Sequence, residues 1–229
     1  MRSLKYFIVA LLFISFGLVV TTTTSSNSKE EMILANMENV GKTLSSFTAS
    51  LWQQKTNTQI GISDPPEMGT IYYVPAKNGK MKLRIDIQKP AKTVVVSGNE
   101  VKFYQKDINQ LLITSTKGAS SNKSVSFLAI TFGSVSAMRE NYNIKYVKDE
   151  KIEGEMTSVL HLTPKTEGNP YKSVDVWISQ SIWMPLQQKL IEVNEDVTLV
   201  RLSNLKKNIE FDVKTLIDNF NPKAKVVKG

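Results

Sequence analysis

The chain has no cysteine and a single histidine among its 229 residues. The missing cysteine excludes disulfide bonds, thiol catalysis and thiolate metal sites. It also excludes a lipid anchor of the bacterial type, which needs a cysteine at the mature N-terminus. His161 lies in the run Val159-Leu160-His161-Leu162-Thr163-Pro164, where strand alternation sets it opposite Leu160 and Leu162, as an ordinary strand histidine. With no second histidine, zinc would need ligands that no spacing supplies, so no metal site is expected. There is no Gly-x-Ser-x-Gly nucleophile elbow. Gly61, Gly69 and Gly79 are too dispersed to cradle a phosphate. Glu150, Glu153 and Glu155 read as a solvated hairpin tip rather than a cation site. Neither catalysis nor a cofactor is expected.

Long apolar runs are also scarce, and the one present is N-terminal. Arg2 and Lys5 precede the apolar run Tyr6 to Val20, 15 residues long, short of the roughly 20 a membrane-spanning helix needs. Residues 1–25 therefore read as a secretory signal peptide, although Thr21 to Ser26 holds no clean Ala-x-Ala cleavage site and an uncleaved anchor stays open. Residues 26–229 then form a single exported domain, long enough to bury a sizeable core. Without Arg2 and Lys5, 27 basic residues face 21 acidic ones. Much of the excess is C-terminal, at Lys206, Lys207, Lys214, Lys223, Lys225 and Lys228. No aromatic-basic motif accompanies it, which argues against nucleic acid as a partner.

Strand rhythm dominates the rest. Leu83, Ile85 and Ile87 alternate with Arg84, Asp86 and Gln88, the period of two of a half-buried antiparallel strand. Gly69 to Val74 precedes this run; Thr93 to Val96 and Val101 to Tyr104 follow, with turns at Asn78-Gly79 and Gly98-Asn99. Ser46 to Gln54 and Asn109 to Thr114 are further strands. Thr56 to Met68 reads as a polar loop broken by Pro65-Pro66. Later candidates are Asn143 to Val147, Glu155 to Thr163, Ser173 to Ser179, Pro185 to Val193, Thr198 to Lys206 and Glu210 to Val213. No βαβ alternation appears, so the sheet is antiparallel and the class mainly β (α+β). Ser28-Lys29-Glu30-Glu31 has the form of a capping box opening a helix to about Ser45, with Ile33, Met37, Val40 and Leu44 on one stripe. Val125, Phe127, Leu128, Ile130 and Phe132 break the strand period; helix and buried strand both fit them. Ser134 to Asn141 reads as a short helix around Met138, and the chain ends in a basic tail.

The ordered set Gly69-Thr70-Ile71-Tyr72-Tyr73, Pro75, Leu83-Arg84-Ile85, Pro90, Val96-Ser97-Gly98-Asn99 and Phe103-Tyr104 resembles the periplasmic outer-membrane lipoprotein carrier family of the LolA type. Val159-Leu160-His161-Leu162-Thr163-Pro164-Lys165 resembles that family's Leu-x-Pro-Lys strand end. The resemblance spans nearly all the chain after the leader. It implies a strongly curved antiparallel half-barrel sheet covered by a lid of short helices, which shelters acyl chains of lipoproteins or other lipids. The cavity wall would be Ile71, Tyr73, Leu83, Ile85, Ile87, Val94, Val96 and Phe103. Ile33, Met37, Val40, Phe127, Leu128 and Phe132 would be the lid. Implied partners are acylated lipoproteins or lipids, inner-membrane release machinery and an outer-membrane acceptor, with the carrier a periplasmic monomer. The family's members also include regulators, so a lipid-sensing protein that binds a membrane partner is the alternative; a lipid-modifying enzyme is disfavoured. One feature departs from the pattern. Val74 precedes Pro75 where well-studied carriers hold an arginine that latches the lid; Lys77 or Arg84 are the nearby cations that could replace it.

Overall fold

Alternation of apolar and polar side chains places one face of every long strand in a shared core, and pairing carries that face around a curved surface. The computed structural model describes residues 23–76, 81–115 and 134–229. Among them, thirteen strands form one open, curved sheet with three helices, consistent with a half-barrel. The strands are β1 (Phe47–Asn57), β2 (Ile62–Ser63), β3 (Glu67–Val74), β4 (Lys82–Ile87), β5 (Lys92–Ser97), β6 (Glu100–Gln105) and β7 (Gln110–Ser115). After helix α2 (Val135–Asn141) come β8 (Tyr142–Ile152), β9 (Glu155–Pro164), β10 (Tyr171–Ser179), β11 (Pro185–Glu192) and β12 (Val197–Lys207). Helix α1 (Thr23–Thr43) precedes the sheet; α3 (Val213–Asp218) and β13 (Lys225–Lys228) end the chain. The spatial order is β13-β7-β6-β5-β4-β3-β1-β12-β11-β10-β9-β8, with β2 appended to β1. Two meanders are thus welded by the long β1–β12 pairing. All neighbours run antiparallel except β13, which lies parallel to β7.

Register turns the pattern into rows. One inward row is Phe47, Tyr73, Leu83, Val96 and Val101; the next is Ala49, Ile71, Ile85, Val94 and Phe103. Aliphatic neighbours across strands are the unit of sheet stabilisation, and Ile71, Leu83 and Val101 are fully buried. Outward rows of the same strands are mostly polar: Tyr72, Arg84, the buried Val95 and Lys102, then Thr70, Asp86, Thr93 and Tyr104. Between the second and third inward rows, β3 and β4 come unusually close. A Cβ on Gly69 would stand 2.2 Å from the backbone oxygen of Asp86, so only glycine fits there.

Four sequence expectations are corrected. α1 starts at Thr23, which puts Ser28 inside the helix; no capping box forms, and Glu31 pairs instead with Arg139. The loop from Thr56 holds strand β2, and β3 already begins at Glu67. The residues expected as a strand from Glu210 form no strand; Asp212 instead caps α3, accepting from the Lys214 amide at 3.0 Å. The basic tail is not loose: Lys225–Lys228 pairs with Gln110–Ile113.

Candidate functional site

The concave face is a trough whose character changes along the strands. Its middle is the two apolar rows. The next row is Leu51, Gly69, Ile87 and Lys92, and beyond it stand Gln53 opposite Glu67. On the β12 side the same step is made by Leu202, Val200 and Thr198, facing Leu51, Gln53 and Lys55. Strands β1, β3, β5 and β12 therefore pass from apolar to polar inward residues toward the same end of the trough.

Seven of the eight expected wall residues, Ile71, Tyr73, Leu83, Ile85, Ile87, Val94 and Val96, are buried, and Phe103 is half-buried. All eight belong to or pack on one continuous apolar cluster with Leu160, Leu162, Val174, Val176 and Leu190 from the second meander. Burial holds the Tyr73 phenol up at about 12. Of the expected lid, Ile33 is fully buried, while Met37 and Val40 pack against the cluster half-buried. Leu34, one position off the predicted stripe, is fully buried too. From α2, Val135 and Met138 join them. The expected lid residues Phe127, Leu128 and Phe132 lie outside the described residues.

Charge fastens the lid. Lys29 of α1 pairs with Asp149 of β8 and lies 4.9 Å over the Tyr146 ring. The Arg139 guanidinium of α2 grips Glu31 through two bonds of 2.8 and 2.6 Å, the bidentate geometry arginine favours. Glu30 accepts from the Tyr146 amide at 3.2 Å, partly covering the edge strand. The Arg139 hydrogen bond lowers the Glu31 pKa from its ordinary value. Burial works against the Asp149 carboxylate, but bonds from Lys29 and Ser158 outweigh it and its pKa is lowered. Of the two suggested latch substitutes, Arg84 does not do this work. Arg84 points to the convex face, bonded to Asp86 at 2.8 Å and to the Leu216 carbonyl at 3.3 Å; Lys77 lies outside the described residues. Sequence reasoning had no signal for the actual clamps, whose partners stand 120 and 108 residues apart.

Two cavities flank the trough rather than occupy its apolar middle. One, of about 230 Å³, lies at the polar end between Gln53, Lys55, Glu67, Lys92, Tyr171 and Glu192. The other is an open groove of about 790 Å³ between the start of α1 and strands β8 and β9, lined by Glu30, Glu31, Lys145 and His161. His161 Nδ1 lies 2.6 Å from Asp175 Oδ1, an orienting partner that alternation alone could not reveal. Glu150 accepts from the Trp177 indole at 2.7 Å, and Glu155 from the Ser179 hydroxyl at 2.6 Å, so both carboxylates brace the β9–β10 region. Among the described residues no group of three or more metal-ligating side chains comes together, and no helix is long and apolar enough to cross a membrane.

The family model for the outer membrane lipoprotein carrier protein LolA matches residues 75–216. The chain belongs to the LolA family. Solved structures agree on the LolA fold at low identity. An uncharacterised conserved protein from Thermus thermophilus superposes with a TM-score of 0.59 at 14% identity, covering 88% of this chain and 99% of its own. A putative outer membrane lipoprotein-sorting protein domain from Vibrio parahaemolyticus gives 0.50 at 13%, covering 84% and 97%. MucB, in its complex with MucA from Pseudomonas aeruginosa, gives 0.51 at 13%, covering 87% of this chain and 63% of that one. No curated protein sequence matches the chain.

Proposed function

We propose that this LolA-family protein is a periplasmic carrier, exported by its N-terminal leader, that shelters acyl chains of lipoproteins or other lipids along the concave wall. It delivers them to the outer membrane, and it binds rather than catalyses. The observation that carries this proposal is the mismatch between wall and lid. The wall is a continuous apolar surface drawn from both meanders, whereas α1 covers it with two fully buried side chains, Ile33 and Leu34. An entering acyl chain replaces those contacts with its own, each buried methylene contributing about 0.8 kcal/mol. Methionines in the cluster and at its margin, Met138 with Met37 and Met81, adapt to chains of different shape. Release machinery in the inner membrane and an acceptor in the outer membrane are the partners this cycle requires.

One observation favours a second proposal, a lipid-sensing regulator that holds a membrane protein partner: seven of the eight expected wall residues are already buried without any cargo. Native mass spectrometry of protein purified from periplasm, with lipid extraction, separates the two. A carrier brings down acylated peptide or lipid and passes it to acceptor vesicles or protein. A clean apo mass with no uptake of a fluorescent acyl probe removes the carrier proposal.

A further inference from the structure

The polar end of the trough is built with more care than a solvated rim requires. Glu192 and Asp196 are 2% and 5% exposed, and buried carboxylates persist only where they are paired. Both are served by one cation. Lys55 Nζ lies 3.0 and 3.2 Å from the two Glu192 oxygens and 3.1 Å from Asp196 Oδ2, which uses all three ammonium donors. Burial works against the charged Lys55, yet its two carboxylate partners outweigh that and raise its pKa. Lys92 is likewise engaged, 2.7 Å from Glu67, whose other oxygen accepts from Gln53 at 2.6 Å. At the rim, Asp64 makes no ion pair among the described residues. The cavity wall thus carries three carboxylates, Asp64, Glu67 and Glu192, against two committed ammoniums. Its floor continues, strand by strand, into the apolar rows.

A space of about 230 Å³ with surplus negative charge, at one end of an apolar trough, has the polarity of an amphiphile with a cationic head. We propose that this end is a headgroup subsite selecting lipids with a primary ammonium, the ammonium entering beside Asp64 and Glu67 while the acyl chains follow the rows toward Leu83 and Ile85. An ammonium offers three N–H donors to carboxylates, bonds that a trimethylammonium cannot make. An anionic head meets like charge there. This assignment rests on the lipid-carrying proposal and names the head that the trough prefers.

The test uses the full mature chain and three single-chain lipids of matched length, below their micelle concentrations: lysophosphatidylethanolamine, lysophosphatidylcholine and lysophosphatidylglycerol. Affinities are read by displacement of a fluorescent acyl probe and checked by calorimetry. The ethanolamine lipid is expected to bind about tenfold tighter than the glycerol lipid, which is about 1.4 kcal/mol, with choline between. Glu67→Gln and, at the exposed rim where folding is not at stake, Asp64→Asn should each shrink that ratio severalfold. Equal affinities for the three lipids, or a ratio that both variants leave unchanged, overturn the headgroup subsite while leaving acyl binding intact. Failure of the acyl probe and all three lipids to bind overturns the carrier proposal along with it.

Discussion

Strands β3 to β6 are covered on both faces, and the two coverings are built differently. On the concave side α1 rests two buried aliphatic side chains on the wall, and exposed ion pairs to β8 and α2 hold it. On the convex side the C-terminal segment is stitched down. Asn208 accepts from the Ser45 amide and hydroxyl at 2.9 and 3.0 Å. Phe211 meets Tyr72 edge-on at 5.7 Å. Phe220 meets Tyr104 at 5.7 Å, with Arg84 and Lys102 both 5.8 Å from its ring. Lys102 bonds Asp218 at 2.7 Å, and β13 then adds backbone pairing along β7. Exposed ion pairs contribute little each and weaken with salt, whereas aromatic contacts and strand pairing add up along the segment. The difference assigns motion to the concave side and permanence to the convex one.

The largest effect should come from treating wall and lid alike. Leu83→Ala removes a fully buried wall side chain that rigid strands cannot replace, and should cost roughly 2–5 kcal/mol in denaturant unfolding. Leu34→Ala empties an equally buried lid position, but a helix held at its margin can shift inward. Its cost should fall at or below the bottom of that range, and acyl-probe uptake should rise because less must be displaced. Equal costs without a gain in uptake would mean that α1 is ordinary core.

How much of this was legible beforehand follows from what alternation encodes. The wall was readable because Leu83, Ile85 and Ile87 keep a strict period of two, and a strand's register follows from its buried face. The gradient toward Gln53, Lys55, Glu67 and Lys92 was also written in that parity, since each stands two or four residues from an apolar inward neighbour. It becomes a site only when four strands are set in register. Leu34 lay beyond reach because α1 buries adjacent positions against a curved surface, where one helical stripe does not predict contact. The C-terminal segment from Asn208 to Lys228, the strap across the convex face, was hidden for another reason. Phe220 and Lys225 to Lys228 sit among polar residues, and their partners on β6 and β7 are more than a hundred residues away.

Next in size is the strap. Phe220→Ala removes the ring shared by Tyr104, Arg84 and Lys102 and should lower stability by about 1–2 kcal/mol. Hydrogen exchange should rise at α3 and β13 while acyl-probe uptake stays at the wild-type level, because the concave face is untouched. Altered uptake in this variant would mean that the two coverings are coupled through the sheet, and the contrast between them would fail.

The smallest effect should be electrostatic and confined to the lid. Glu31 and Asp149 have pKa values lowered from ordinary values of 4.5 and 3.8, so their contribution to closure is present above those values. It is lost as pH falls through the still lower values of the folded state. Lys29, raised above 10.5 mainly by its bond to Asp149, contributes below 10.5 and loses its part only as pH rises beyond the folded value. Closure is therefore firmest between about pH 4.5 and 10.5 and loosens at the acid side. Hydrogen exchange in α1, and the rate of acyl-probe uptake, should rise below about pH 4 while β13, held by backbone pairing to β7, stays protected. Glu31→Gln should bring part of that increase to neutral pH, and salt should mimic it in the wild type because both clamps face solvent. An α1 exchange rate indifferent to pH and salt would place the hold on the lid in Ile33 and Leu34 alone, leaving displacement by an acyl chain as the only way to open it.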